Sequence, residues 1–142
     1  MTVVTGIVAE NGIVIGADSS ATFERKTVEQ QTKKIRIIED RIIFAASGKV
    51  GLIQRFQSIV EQFADRRMDL FDPDDPFEAG KRLSNEVRKD YSDSNVNKGQ
   101  VSAIIGFTDG NDFSLIQFPS DDLQPELKNS DNLWYVSLGN GK

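Results

Sequence analysis

The chain has 142 residues, of which 38% are hydrophobic, and a formal net charge of −5. It contains no histidine and no cysteine, which excludes a Ser-His-Asp triad, a cysteine nucleophile, a thiolate or imidazole metal site and a disulfide. A nucleophile would have to be Ser, Thr, Lys, Tyr or a carboxylate. The length predicts one globular domain over residues 1–142, the apolar runs are too short to cross a bilayer, and the negative charge argues against a nucleic-acid partner.

The N-terminal segment is predicted to form a β-hairpin. Residues 3–9 and 13–17 are β-branched, apolar runs joined by residues 10–12. That junction contains an Asn-Gly pair, which is the strongest short hairpin signal when apolar runs flank it. Residues 22–31 are polar and charged, which predicts a loop or a weak edge strand.

A second hairpin is predicted from residues 35–38 and 42–46, which flank residues 39–41. Both runs are almost continuously apolar, a pattern that is typical of strands buried on both faces. We therefore expect this hairpin to lie in a central sheet.

Two helices are predicted next. Apolar residues recur at steps of three and four from residue 50 to about residue 67, with Gly48 just before the run. The members of this stripe are Val50, Ile53, Phe56, Ile59, Val60 and Phe63. Two prolines break the chain within residues 72–76, and helical spacing resumes over residues 77–91. The short connection favours an antiparallel helix pair.

The C-terminal part returns to strands. Residues 101–108 and 113–118 predict another hairpin, and residues 133–138 predict a further strand after a polar loop. Hairpins followed by a helix pair and more strands do not fit the βαβ alternation of a doubly wound sheet. The order favours an α+β fold of two stacked antiparallel sheets with helices outside.

Thr2 lies directly behind Met1, ahead of the first predicted strand. If Met1 is removed, Thr2 becomes chain-terminal and carries its own base, an α-amine with a pKa of about 7.7–8.0. An N-terminal threonine can therefore act as a nucleophile without histidine. On position alone, Thr2 is better interpreted as an ordinary strand residue.

Four motifs at fixed mutual spacing strengthen the first interpretation. They are residues 2–8 (Thr-Val-Val-Thr-Gly-Ile-Val), residues 16–22 (Gly-Ala-Asp-Ser-Ser-Ala-Thr), residues 33–35 (Lys-Lys-Ile) and residues 45–48 (Ala-Ala-Ser-Gly). In this order and spacing the chain resembles proteasome β subunits and the HslV-type bacterial peptidase, and is similar to a bacterial or archaeal proteasome homologue. The resemblance implies a four-layer αββα N-terminal nucleophile hydrolase sandwich.

The resemblance also implies catalytic roles for four residues. Thr2 would be the nucleophile after cleavage of Met1 or a propeptide, Asp18 the acidic residue beside it, Lys34 the buried lysine and Gly48 the oxyanion-binding glycine. An ammonium near the threonine hydroxyl lowers the cost of forming an alkoxide, and a carboxylate balances that buried charge. Taken singly, Asp18, Lys34 and Gly48 could also be a turn residue, a strand-end charge and a turn glycine.

Further positions match the family's substrate-binding pocket. They are Ala21, Thr22, Thr32, Arg36, Ala46 and Val50, a mixed set that does not define one preferred side chain. Asn140 stands where the family has a serine that supports the threonine amine. An amide can still form hydrogen bonds, but it relays a proton less readily, so turnover could be slow, altered in substrate or absent.

The implied activity is that of a threonine-type endopeptidase subunit in a self-compartmentalising complex. The resemblance implies peptide or unfolded polypeptide substrates, a homo-oligomeric double ring, no cofactor or metal, and an ATP-dependent unfoldase as a candidate partner. The start of the chain lacks the features of a signal peptide, which favours the cytoplasm and no membrane association. Two alternatives stay open: a noncatalytic structural ring subunit, and an amidase of the same fold acting on a small molecule.

The family continues beyond the position of Lys142 with another helix pair and more strands. Two stacked sheets with a single helix pair would leave one apolar sheet face uncovered. We therefore expect the domain to be incomplete at its C-terminal end.

Overall fold

The computed structural model describes residues 3–18, 21–23, 26–28, 33–65, 75–96, 101–108, 111–128 and 135–139. Within these ranges the fold is α+β, with three antiparallel sheets and two helices. The smaller main sheet consists of β1 (Val3–Ala9), β2 (Gly12–Ala17) and β10 (Tyr135–Gly139), in the order β10-β1-β2. The larger sheet has the order β5-β6-β7-β8-β9 and consists of β5 (Ile35–Ile38), β6 (Ile42–Gly48), β7 (Val101–Thr108), β8 (Phe113–Phe118) and β9 (Glu126–Lys128). A separate two-stranded ribbon consists of β3 (Ala21–Phe23) and β4 (Lys26–Val28).

The larger sheet is the middle layer. Helices α1 (Val50–Asp65) and α2 (Pro76–Asp93) cover one face, where Phe56 packs against Phe44 and Phe118 with ring centroids 5.5 Å apart in both pairs. The smaller sheet covers the other face. The core between the two sheets contains Val4, Val8, Ala45, Ile104 and Leu115. This arrangement confirms the predicted stacking of two antiparallel sheets with a helix pair outside.

The outer face of the smaller sheet follows from the alternation of side chains along a strand. Val4 and Val8 of β1 point into the core, whereas Ile7 points outward and pairs in register with Val14 of β2. Val14 is 70% exposed, and Ile7 is also exposed. In the part of the chain that the structure describes, no fourth layer covers this apolar face, as the sequence led us to expect.

The two helices form the predicted antiparallel pair. The Tyr91 hydroxyl, near the end of α2, donates to the Leu52 carbonyl near the start of α1 (2.8 Å), and Arg55 of α1 forms an ion pair with Asp90 of α2. Helix α2 starts one residue earlier than predicted, because Pro76 fits the first helical position and the Asp75 carboxylate caps the N-terminus of the helix by accepting the Glu78 N–H. Neither described helix has the length and apolarity needed to span a membrane.

The prediction that the second hairpin is buried on both faces is right for β6 but wrong for β5. Ile37 of β5 is 69% exposed, because β5 is the edge strand of the larger sheet and the covering layer ends there. Ile35 still packs against the core between the sheets, whereas Ile37 lies past it. The sequence also missed β9, whose three residues lack an apolar pattern. The polar segment 22–31 contributes β3 and β4, in line with a weak edge strand.

Gly80 of α2 lies where a side chain would have no room. A Cβ at this position would be 2.9 Å from Pro125 Cβ and 3.1 Å from Ile116 Cδ1. A Cβ at Gly51 of α1 would meet nothing within 4 Å. Substitution of Gly51 therefore changes helix propensity alone, whereas substitution of Gly80 changes helix propensity and packing together.

We predict opposite effects for Gly80→Ala and Gly51→Ala in urea unfolding. Gly51→Ala should raise the free energy of unfolding by about 0.5–1 kcal/mol, because alanine is the better helix former. Gly80→Ala gains the same propensity but must displace a rigid proline ring, so we expect a net loss of about 1–2 kcal/mol. A stabilised Gly80→Ala protein would contradict the close approach of α2 to Pro125.

A second prediction concerns Tyr91. Burial, assisted by the Asp90 carboxylate, raises the pKa of the Tyr91 hydroxyl above its ordinary value. The stabilisation that the buried, protonated Tyr91 hydroxyl gives to the fold is therefore complete below the unfolded pKa of about 10. It is lost as the pH rises towards the folded pKa. Tyr91→Phe should lower the free energy of unfolding by about 1 kcal/mol at pH 7. It should also reduce the decline in the free energy of unfolding between pH 9 and 11. Chemical denaturation of both proteins at each pH would measure this.

Candidate active site

The candidate site starts from the register of the first hairpin. Val4 pairs with Ala17, so Val3 lies opposite Asp18, the residue directly after β2. The Val3 N–H donates to Asp18 Oδ1 (2.7 Å), and the Asp18 N–H donates to the Val3 carbonyl (3.1 Å). The nitrogen of Val3 belongs to the peptide link with residue 2. Asp18 therefore holds the backbone at the point where the candidate nucleophile is attached.

The same carboxylate oxygen also binds Lys34. Lys34 Nζ lies 3.0 Å from Asp18 Oδ1, and the Lys34 side chain is 11% exposed against 31% for Asp18. A largely buried ammonium is tolerated only beside an opposite charge and a hydrogen-bond acceptor. Because Lys34 directly precedes β5, this ion pair joins the edge of the larger sheet to the end of β2 in the smaller sheet. The structure thus brings Asp18 and Lys34 together.

Gly48 is the last residue of β6 and has φ = 134°, a conformation that side-chain-bearing residues rarely adopt. It pairs in register with Val101, and α1 begins two residues later, at Val50. The Lys49 carbonyl accepts hydrogen bonds from the N–H groups of Leu52 and Ile53 in the first turn of the helix (3.0 Å each). The backbone conformation at residue 48 therefore requires glycine. Separately, N–H groups without helical partners converge at the start of a helix such as α1.

The other predicted site residues occupy different environments. Arg36 is exposed and lines a groove of about 640 Å³ together with Asp18 and Lys34. Ala46 is buried in the core under the helices, whereas Val50, at the start of α1, is 65% exposed. Ala21 and Thr22 belong to β3, but their side chains are not described. Thr2, Thr32 and Asn140 lie outside the described residues.

Two elements of the site were missed by the sequence reasoning. One is the backbone N–H of Val3, which could have been found by counting the register back from the two-residue turn between Ala9 and Gly12. The other is the wall that α1 contributes to the groove through Gln57 and Glu61. These two side chains are one helical turn apart and hydrogen-bonded, with Gln57 Nε2 donating to Glu61 Oε1 (2.7 Å). Their i,i+4 spacing was visible in the sequence.

The sequence model of the proteasome subunit family matches residues 2–121 of the 142. The chain belongs to the proteasome subunit family. No curated protein matches it in sequence. Within the described residues, no group of three or more carboxylate or other ligating side chains could hold a metal ion.

Solved structures of proteasome-like proteins share the fold. Anbu from Hyphomicrobium sp. strain MC1, solved as a Gly-1 mutant, has a TM-score of 0.73 at 18% identity, covering 99% of this chain and 61% of the Anbu chain. Anbu from Yersinia bercovieri, described as an ancestral beta-subunit, has a TM-score of 0.73 at 14% identity, with coverages of 99% and 61%. Eukaryotic HslV from Trypanosoma brucei has a TM-score of 0.64 at 16% identity, with coverages of 98% and 72%.

Two points follow from these comparisons. The chain spans about 61% of the length of the Anbu structures. The TM-scores show a common fold. At such low sequence identities a common fold does not establish the chemistry, which must be argued from the site.

A stability prediction separates the two contacts of Asp18. Asp18→Ala removes both the Val3 and the Lys34 contacts, so we expect the free energy of unfolding to fall by about 2–3 kcal/mol. Asp18→Asn keeps an oxygen that can accept the Val3 N–H and should lose less. Lys34→Met, which removes the ammonium while keeping an apolar stem, should partly restore the stability of Asp18→Ala. Urea unfolding of the single and double variants checks this, and strictly additive effects would contradict the coupling.

Proposed function

We propose that the chain is the catalytic part of a threonine-type peptidase subunit, with Thr2 as its N-terminal nucleophile once Met1 is removed. The observation that carries the proposal is the double engagement of Asp18 Oδ1, by the Val3 N–H and by Lys34 Nζ. This arrangement holds a carboxylate and an ammonium at the backbone position next to residue 2. A nearby ammonium held by a carboxylate would help the α-amine of Thr2 to activate the hydroxyl without histidine.

In the proposed reaction the Thr2 hydroxyl attacks the carbonyl carbon of a peptide bond. The neutral α-amine of Thr2 takes the hydroxyl proton, directly or through a water molecule, and later returns a proton to the leaving amine. The positive charge of Lys34 lowers the cost of forming the alkoxide, and Asp18 keeps that lysine in place. Water then hydrolyses the acyl-enzyme and regenerates Thr2.

Gly48 would stabilise the oxyanion of the tetrahedral intermediate through its backbone N–H. Its position at the β6 to α1 junction supports this role, because the positive end of the helix dipole lies there. The absence of a side chain at Gly48 would also let a substrate carbonyl approach closely.

The groove beside Asp18 and Lys34 would bind the substrate. Of the predicted pocket residues, Arg36 lines this groove, whereas Ala46 is buried under the helices and Val50 lies outside the described lining. Ala21, Thr22 and Thr32 would contribute from the rest of the chain. Asn140 would support the Thr2 amine by hydrogen bonding. Family membership supports assembly into a homo-oligomeric ring that acts on peptides or unfolded polypeptides in the cytoplasm, with an ATP-dependent unfoldase as candidate partner.

The nucleophile is tested by comparing Thr2→Ser, Thr2→Val and the unchanged protein. Serine keeps a hydroxyl, so Thr2→Ser should retain measurable peptide hydrolysis and form a covalent adduct with a peptide epoxyketone. Valine has nearly the same shape but no hydroxyl, so Thr2→Val should lose the adduct and at least 100-fold in turnover, as expected for removal of an attacking group. Intact mass and peptide mapping would locate the adduct.

Three controls make this test decisive. N-terminal sequencing should find Thr2 as the first residue of the active protein. Thermal unfolding of Thr2→Val should match that of the unchanged protein, since valine is a good strand former. An active Thr2→Val protein, or an adduct on another residue, would overturn the proposal. A noncatalytic ring subunit would instead assemble normally and form no adduct in any variant.

A further inference from the structure

The groove beside the Asp18–Lys34 pair has a basic wall. Lys33 and Arg36 both line it, and both are exposed. Asp18 and Lys34 cancel each other's charge through their ion pair, and Glu61 of α1 is the one further acidic residue of the described lining. The lining therefore carries a net positive charge, although the chain as a whole is acidic at −5.

Arg36 lies on the face of β5 that turns towards the helices. It pairs in register with Phe44, whose side chain belongs to the core under α1 and α2, and residues paired across two strands share one face of a sheet. Lys34 precedes Arg36 by two residues, which corresponds to about 6.6 Å along an extended chain. Arg36 thus stands one side-chain position away from the charge pair that contacts the backbone N–H of Val3.

Neither Lys33 nor Arg36 forms an ion pair with another residue in the part of the chain that the structure describes. In contrast, Glu61 already accepts a hydrogen bond from Gln57. The Arg36 guanidinium has no ion-pair partner among the described residues. It is therefore well suited to a substrate carboxylate, which it can bind through two parallel hydrogen bonds.

We propose that this groove selects peptides with an acidic side chain next to the scissile bond, and that Arg36 is the residue that determines this specificity. The proposal rests on the function proposed above and adds the substrate class. Lys33 strengthens the attraction at longer range. Glu61 opposes it and limits the preference.

The test uses fluorogenic peptide amides that are identical except for the residue before the cleaved bond. Glutamate and glutamine have nearly the same shape, so the ratio of their kcat/KM values isolates the charge. We expect a ratio of about ten for the unchanged full chain, the size of one partly solvated charge-assisted contact. Arg36→Gln should bring the ratio close to one, Arg36→Glu should invert it, and Glu61→Gln should raise it a few-fold. Added salt should lower the ratio in the unchanged protein.

Arg41→Gln is the matched control, because Arg41 is an exposed arginine of the same hairpin that lies outside the groove lining. It removes the same charge and should leave the ratio unchanged. A ratio near one in the unchanged protein, or a ratio that Arg36→Gln does not alter, would overturn the specificity proposal. Labelling of Thr2 by a peptide epoxyketone is scored separately. If Thr2 is labelled while the ratio is near one, the specificity proposal alone fails; if no residue is labelled and no peptide is cleaved, both proposals fail.

Discussion

One carboxylate oxygen joins the parts of this molecule on which the candidate site depends. Asp18 Oδ1 accepts the N–H of Val3 at the start of β1 and the ammonium of Lys34 at the edge of the larger sheet. Lys34 needs the Asp18 carboxylate, because a largely buried ammonium without a counter-charge would be strongly destabilising. The contact that stabilises the junction between the two sheets is therefore the contact that arranges charge beside residue 2.

The packing of the sheets makes this contact geometrically possible. Gly106 of β7 lies beneath Ile13 of β2, and a Cβ on that glycine would come within 3.0 Å of Ile13 Cγ2. The missing side chain lets the smaller sheet approach the larger one closely, as dense interior packing requires. This close approach also places Asp18, directly after β2, near Lys34, which directly precedes the edge strand β5. The core packing of Ile13 at one end of β2 and the charge pairing of Asp18 at the other end therefore act on the same strand.

The sequence predicted the elements with strong local signals and missed those that depend on tertiary context. Turn residues and apolar periodicity located the hairpins and the paired helices, because both are short-range properties. The exposure of Ile37 and the three-residue strand β9 could not be predicted, because they depend on where the neighbouring layers end. The sequence located the turn at residues 39–41 but not its backbone conformation, in which Glu39 and Asp40 have positive φ without being glycine or asparagine.

The candidate site divides in the same way. The partnership of Asp18 and Lys34 joins residues 16 positions apart on different hairpins, and only the family resemblance suggested it. The contact of Asp18 with position 3 goes to a backbone N–H, so its formation does not depend on the side chain at position 2. The hydrogen-bond scaffold of the site is thus independent of the side chain at position 2. The chemistry of residue 2 itself, a free hydroxyl beside a free amine, is what would make the proposed site catalytic.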